Sequence, residues 1–524
     1  MIVGVSCSTI GIAISRNECI FGGKENPIEF IFKNTAQEDT LVFYYLNHDV
    51  PSLLKLMRLN ENDLQTLRDK EKLYKPPYKV TYFSGSFFGL DEGFGVGHNY
   101  ANFYDTWRYR EEDHYDSEDT PESVKERAKI AKQTATEVLT SFNKLGIKEF
   151  GSSPVNAFIK RYPLHIPGKG SVPQKAMELS YKHALDNMNW TECWKLGHYD
   201  SFDVDLNGAY MYELSRLLDL RYGKWVQSNT IPENARYGIL DGQITTRENF
   251  HPYSYHFGDM FYTPIDSWET PLYLEQYKNL YIRKQGYYEI KDGYFWIPDK
   301  EVYFLSGVIR WLQTKKESFT GLDRDIVKRI GVGIWGLLLL IRGVKENTKL
   351  GDNFNSFYGG LVQSNVRLRL SNMCLDNNLV PIHLVIDGAT LERKPNLNFN
   401  TELGGWKLAH EGKCFSIGSG AVALQGKQGK GDFALDYDWL LEQIKENPEA
   451  DRYTMKKYSV AGISDKRFGE IVETERTVVI GQDAKRLWKD YPKYGQDLLK
   501  QFDSIPRSAN EIRAGGLIGN FIKS

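Results

Sequence analysis

The residues of this chain that could do chemistry are carboxylates. In "DVDLNGAY", Asp203 and Asp205 stand two apart, and on a β-strand residues two apart share a face. Alternation predicts a strand through "SFDVDL" that turns into a helix at "AYMYELSRLL". Taken alone, the pair reads as a capping Asp beside a surface Asp. A second apolar strand, "HLVIDGATL", carries Asp387. A lone Asp in such a strand is costly to bury unless a partner or a metal compensates it. Acids converging from two adjacent strands suit Mg²⁺, which takes carboxylate oxygens and substrate phosphates as ligands. Two-metal phosphoryl transfer needs such a cluster, with the metals about 3.5–4 Å apart.

These strands must be held by a large scaffold. With 524 residues the chain exceeds one compact core, and about two to four subdomains are expected. A net charge of -2 carries no whole-protein signature of nucleic-acid binding, which leaves room for a basic cleft balanced by acidic faces. Cys7, Cys19, Cys193, Cys374 and Cys414 are odd in number and lack C-x-x-C spacing, which argues against a disulfide framework or a zinc site and fits a reducing cytoplasm. The opening "MIVGVSCSTIGIAIS" has no basic n-region and no cleavage site of the signal-peptide kind. The apolar run "GVGIWGLLLLI" is too short to span a bilayer and reads as a buried helix.

Along the chain, strands are expected at Ile2–Val5, Gly11–Ser15, Ile28–Phe32 and Leu41–Leu46, then a helix from about Ser123 to Leu145. "EFGSSPVNAF" is the best break. The aromatic, turn-rich stretch after Tyr222 reads as a β-rich insertion. Helices are expected around Glu301–Lys316 and Asp323–Ile341, and in "GGLVQSNVRLRLSNMCLDNN" before the Asp387 strand. "LQGKQGKGDF" reads as a basic Gly-rich loop, and "YDWLLEQIKEN" and "DAKRLWKDYPKYGQDLLKQF" as a final helical region.

"DLNGAYMYELSRLLDLRYG" resembles motif A of family B DNA polymerases, in the form used by the protein-primed enzymes of small bacteriophages. On that motif Asp205 matches the metal-binding Asp, Gly208 the Ser, Tyr210 the Tyr under the incoming sugar and Met211 the Pro; Asp203 is extra. "VKRIGVGIWG" is similar to motif B. There Lys328 matches the triphosphate-binding Lys and Gly336 the closing Gly, while Val332, Gly333 and Trp335 replace Asn, Ser and Tyr. "DGAT" stands where motif C, Asp-Thr-Asp-Ser, is expected, with Asp387 read as the first acid and Ala389 as the lost second one. Asp203 cannot fill that place, because two residues along a strand span roughly 6.6–6.8 Å.

The resemblance implies an α/β multidomain fold: a family B right hand of palm, fingers and thumb with an N-terminal ribonuclease H-like exonuclease-type domain. Its parts would be the degenerate exonuclease-like domain (1–160), palm (161–222 and 356–455), terminal-protein-region-like insertion (223–303), fingers (304–341), shortened hairpin (342–355) and thumb (456–524). It implies metal binding by Asp205, Asp387 and Asp203, with Mg²⁺ or Mn²⁺. Nucleotide contacts would come from Lys328, Tyr210, Lys316 and Trp335. DNA contacts would come from Tyr181 in a worn Tyr-x-Gly-Gly motif, from Lys427 and Lys430 on the Gly-rich loop, and from Lys456 in "KKYSVAGISDK".

In the N-terminal region, Ser6 and Ser8 stand where exonuclease acids belong, Asp49 matches a second-motif Asp, and Lys129 and Gln133 replace a Tyr and an Asp. "FYDTWRY" resembles the single-strand contact segment. The implied function is a DNA polymerase-like protein of phage or mobile-element replication in the host cytoplasm, with proofreading lost and nucleotidyl transfer impaired. Its partners would be DNA (primer–template or single strand), dNTP and a terminal protein primer, with no membrane. Two alternatives stand beside it: a catalytically inactive homologue that binds DNA or a partner, and a weakly templated or template-independent nucleotidyl transferase.

Overall fold

The first strand, Ile2–Ser8, lies between Gly11–Ser15, antiparallel to it, and Thr40–Phe43, parallel to it. This computed structural model describes residues 1–23, 25–75, 78–83, 87–92, 99–106, 109, 119–187, 190–342, 349–430, 435–460, 471–480, 483 and 485–514. The first strand belongs to an eight-stranded sheet that also takes in Asn99–Asp105, Phe87–Glu92, Tyr78–Phe83 and Lys72–Lys75. Its apolar residues Val3, Val5 and Cys7 are buried on one side. The helix Pro121–Lys144 packs directly on it at Gly4, where a Cβ would stand 1.8 Å from the Ala128 carbonyl oxygen. The expected strand at Ile28–Phe32 is instead the helix Pro27–Asn34. Asn26 caps that helix by accepting from the Ile28 N–H at 3.1 Å, and Pro27 suits its first turn, so terminal chemistry outweighs the β-branched run.

A nine-stranded sheet carries the acids. Its order runs Lys427–Lys430, Ala421–Leu424, Trp406–Gly418, Lys195–Leu206, Gly388–Leu391, His383–Val385, Thr191–Cys193, with Gln501–Pro506 and Arg486–Trp488 joined beside Lys195–Leu206. The long helix Ser356–Asp376, capped by Asn355, leads to the Asp387 hairpin. A five-stranded sheet with the helix Leu274–Ile282 forms the β-rich stretch after Tyr222.

The expected helices after it are Ser306–Ser318 and Gly321–Leu338, and they pack on each other. The second sits on Pro154–Arg161 and Ala209–Ser215 by glycine contacts. A Cβ at Gly331 would meet Met211 Sδ at 2.3 Å, and one at Gly333 would meet Val155 Cβ at 2.7 Å. Gly331 and Gly333 thus serve close packing, while Gly336 faces open space. No helix among the described residues is long and apolar enough to cross a membrane.

"YDWLLEQIKEN" forms the helix Tyr437–Glu446, but "DAKRLWKDYPKYGQDLLKQF" does not continue it. That segment becomes two short antiparallel strands around a 3₁₀ turn. Pro492 interrupts the helical pattern. Arg486 is buried, reaching Glu192 Oε1 at 2.9 Å and Ser504 Oγ at 2.7 Å, and this ties the segment to the sheet rather than to a helix.

Candidate active site

The strand Lys195–Leu206 pairs with Gly388–Leu391 in the register Asp203↔Thr390, Val204↔Ala389, Asp205↔Gly388. Partners across an antiparallel pair share a face. Asp203, Asp205, Gly388 and Thr390 therefore line one side. Thr390 Oγ1 donates to Asp203 Oδ1 at 3.3 Å, and a Cβ at Gly388 would lie 2.1 Å from Asp205 Oδ1. Val204 and Ala389 line the other side, inside an apolar cluster with Trp190, Leu206, Leu370 and Leu384.

This geometry corrects the reading of Ala389. Asp387 is not on a strand with Ala389 as its same-face neighbour. It sits in the two-residue turn, Ile386–Asp387, between His383–Val385 and Gly388–Leu391. Ala389 is fully buried and faces the core, away from the acids. The residue two before Asp387, Val385, pairs with Gly388 and so lies on the acid face. Ile386 adopts φ 57°, a strained conformation for a β-branched residue, and its N–H is held by the Trp190 carbonyl at 2.9 Å. The backbone oxygen of Asp387 accepts from the Leu206 N–H at 3.1 Å, which locks the hairpin tip beside Asp205.

Three lysines surround the acids. Lys430 Nζ lies 2.7 Å from Asp203 Oδ1 and 2.8 Å from Asp205 Oδ1. Lys427 Nζ is 3.4 Å from Asp203 Oδ2, and Lys407 Nζ is 3.4 Å from Asp205 Oδ2. Lys427 and Lys430 are not on an open loop, because the Gly-rich stretch folds into a hairpin onto the acid face. Burial acts to raise the Asp205 carboxyl, but the lysines, Lys430 foremost, hold it below the ordinary range. Burial and then the Asp205 charge push the Asp387 carboxyl up. Lys407 was not foreseen from sequence; its signal was its place on the strand after the turn "GGW", directly opposite Asp205.

The helix Gly321–Leu338 turns Lys328 and Val332 outward along one face, with Val332 45% exposed. Trp335, further along the helix, packs on Tyr210 with ring centroids 4.6 Å apart at 46°, and donates its indole N–H to the Gly359 carbonyl at 3.0 Å. Lys316 Nζ donates to Asn207 Oδ1 at 3.1 Å, just after Asp205. Burial lowers the Lys316 ammonium, and the charges of Arg324, Lys328 and Lys407 lower it further. Cations crowded this closely make a receptor for an anion with several charges.

Solved structures resemble this chain over most of its length. An orthorhombic crystal form of phi29 DNA polymerase matches with TM-score 0.62 at 13% identity, covering 91% of this chain and 99% of that one. Phi29 DNA polymerase complexed with primer-template DNA matches with TM-score 0.60 at 12% identity, covering 91% and 99%. Its complex with single-stranded DNA matches with TM-score 0.60 at 14% identity, covering 91% and 98%. The chain has the fold of phi29 DNA polymerase. No protein-family model matches the sequence, and no curated protein matches it. At such identities the likeness is one of fold alone.

The remaining expected residues lie elsewhere on the phi29-type fold. Tyr181, on the helix Gln174–Asp186, packs on Phe354 with ring centroids 6.1 Å apart, and both line a cavity of about 690 Å³ together with Met177, Ile341 and Leu350. Lys456 is exposed on Arg452–Val460, in register with Glu475. Parts of "KKYSVAGISDK", "FYDTWRY" and the shortened hairpin fall outside the described residues.

In the N-terminal sheet, Asp49 is fully buried. Its Oδ1 accepts from Ser6 Oγ at 3.0 Å and the Cys7 N–H at 2.8 Å, and its Oδ2 accepts from the Tyr45 N–H at 2.8 Å. Lys129 and Gln133 point outward, bonding Glu126 and Glu137 on their own helix. The helix residue that reaches Ser6 is Arg127, at 3.4 Å, and it also pairs with Asp119 at 2.6 Å. Sequence alignment by motif spacing missed Arg127, because only the helix's packing face shows which residue looks inward. Asp49→Ala should leave three donors without an acceptor and lower stability by about 3 kcal/mol or more, read by thermal unfolding.

Proposed function

We propose that this chain is a DNA polymerase-like nucleotidyl transferase whose divalent-ion chemistry rests on Asp205 and Asp387. The observation that carries the reading is Asp387 at the hairpin tip beside Asp205, with Ala389 turned into the core. In the Asp-Thr-Asp-Ser pattern, Asp387 then takes the place of the second acid, and Val385 that of the peripheral first. The chain retains both principal carboxylates, and the apparent loss at Ala389 is a matter of register.

The donor set fits a divalent cation. The Asp387 carboxyl is raised by burial and by the Asp205 charge, a repulsion that a dication between them relieves. Mg²⁺ or Mn²⁺ bound by one or two carboxylates completes its shell with water and substrate phosphate, so two acids suffice. Among the described residues no three His, Cys, Asp or Glu side chains form a ready cage. Such an ion supplies charge neutralisation at the reacting phosphate and lowers the pKa of the attacking hydroxyl.

The chain's own residues do the rest. Lys316 and Lys328 hold the triphosphate. Tyr210, braced by Trp335, forms the floor under the sugar, and exposed Val332 faces the nascent pair with an apolar surface in place of an amide. Lys328→Ala should raise the KM for dNTP about tenfold, the scale of one charge-assisted contact, with a smaller fall in kcat, measured by steady-state incorporation. The N-terminal domain is read as lacking exonuclease activity. Its Asp49 is saturated by hydrogen bonds and Arg127 supplies the positive charge. DNA and a protein primer remain the expected partners.

A second reading, a catalytically inactive homologue that binds DNA, is favoured by one observation: Lys430 already bridges Asp203 and Asp205. The deciding experiment is nucleotide incorporation by the purified chain on a primed template with Mg²⁺ and with Mn²⁺. Incorporation that vanishes in Asp205→Ala supports the transferase. No incorporation with either ion supports the inactive homologue. Incorporation that persists without template points to terminal transfer.

A further inference from the structure

Two carboxylates on one strand face, one of them fully buried, repel each other unless a cation stands between them. Asp203 is 0% exposed, Asp205 is 19% exposed, and Lys430, 17% exposed, donates to both. The lysine reaches them because its hairpin curls back over the sheet. Its turn uses Gly426 at φ 69°, and Val422↔Lys430 pairs its strand with the neighbouring one. Gly388 completes the arrangement. A Cβ there would stand 2.7 Å from Lys430 Nζ as well as 2.1 Å from Asp205 Oδ1, so the ammonium occupies space that any side chain would claim.

The two acids are not equivalent partners. Asp203 is anchored from three sides, by Lys430, by Lys427 at 3.4 Å and by Thr390 at 3.3 Å. Asp205 faces the cleft beside Asp387, and its other cation, Lys407, is half exposed. We propose that Lys430 is a tethered counter-cation of this site: it bridges Asp203 and Asp205 while no divalent ion is bound, and it releases Asp205 but keeps Asp203 when one binds. This rests on the reading of Asp205 and Asp387 as the ion's ligands.

Asp203 then has a role that its place two residues before Asp205 did not suggest. It is a parking acid for the lysine, and Lys430 is a positioning residue. The exchange follows from charge. Asp203, Asp205 and Asp387 are matched by Lys407, Lys427 and Lys430, so the ion-free site is close to balanced. A dication at Asp205 repels the nearby ammonium, which has Asp203 to move onto.

Mn²⁺ binding, followed by electron paramagnetic resonance, tests this on the whole chain. Lys430→Met keeps the unbranched stem of the side chain, one atom shorter, and removes its charge, and should tighten Mn²⁺ binding about tenfold or more, the scale of one like charge removed at close range and screened by solvent. Asp205→Ala should abolish the tight site. If the wild type binds Mn²⁺ and Lys430→Met binds it no tighter, the exchange is overturned and the metal reading stands. If neither binds, or if Asp205→Ala binds as the wild type does, the metal reading falls and the exchange with it.

Acylation of lysines in the wild-type chain, mapped by mass spectrometry, needs no variant. Labelling of Lys430 should rise several-fold on adding Mn²⁺. Unchanged labelling at saturating Mn²⁺ would overturn the exchange.

Discussion

Asp387→Asn should lower nucleotide incorporation on a primed template by roughly a thousandfold, equivalent to about 4 kcal/mol of transition-state stabilisation, while leaving the melting temperature unchanged or raised. The two halves of this expectation share one cause. The Asp387 carboxyl is pushed up by burial and by the charge of Asp205, so its ionised form is a cost to the folded chain. An amide of the same shape removes that cost. The turn's backbone contacts, Ile386 N–H to Trp190 and Leu206 N–H to the Asp387 carbonyl, do not involve the side chain and survive the change. A group that costs stability where it stands and is required for turnover behaves as a functional residue does. If Asp387→Asn unfolded the chain, or left incorporation intact, the residue would belong to the scaffold. Incorporation rates and thermal unfolding measured on one preparation separate these outcomes.

How far the sequence reveals the molecule depends on which force decides each element. The first two strands and the helix Pro121–Lys144 follow from apolar periodicity, and they form as expected; the helix Ser356–Asp376 also forms where expected, although it is buried on nearly every side. Ile28–Phe32 fails that test because a cap and a proline decide a short helix. The segment 483–502 fails it because the buried Arg486–Glu192 pair, made across 294 residues, has no local signature. The fold expected from the resemblance is the one found, with a match to phi29 DNA polymerase over 91% of the chain.

The site was harder to read, for reasons of parity. Spacing of two along a strand correctly puts Asp203 and Asp205 on one face. The same rule fails across Asp387–Ala389, because a turn residue does not take part in strand alternation. Long-range partners were equally hidden. Nothing local marks Lys430 as the companion of Asp203, 227 positions earlier by residue number, since only the curl of the hairpin brings them together.

Ala389→Asp gives the sharpest test of that parity. Read from sequence, the substitution restores a lost carboxylate and should raise activity. Read from the structure, it drives a carboxylate into the apolar cluster of Trp190, Val204, Leu206, Leu370 and Leu384, where Ala389 is fully buried. Burying an unpaired carboxylate costs several kcal/mol even when the acid takes up a proton. The added volume strains a packed core further. Ala389→Asp should therefore destabilise the chain by about 4 kcal/mol or more and should not increase incorporation. Val385→Asp offers the contrast. Val385 is half buried, shares its face with Gly388, and points toward the acids and their lysines. An acid there stays on the half-buried face beside Gly388, where Lys430 Nζ approaches, so Val385→Asp should fold with a far smaller loss. Denaturant unfolding of the two variants side by side reads the difference. A stable Ala389→Asp with raised incorporation would restore Ala389 as the vacant ligand position. A stable Val385→Asp beside a collapsed Ala389→Asp would establish that the acid face of this hairpin runs through 385 and 387, with the core behind 389.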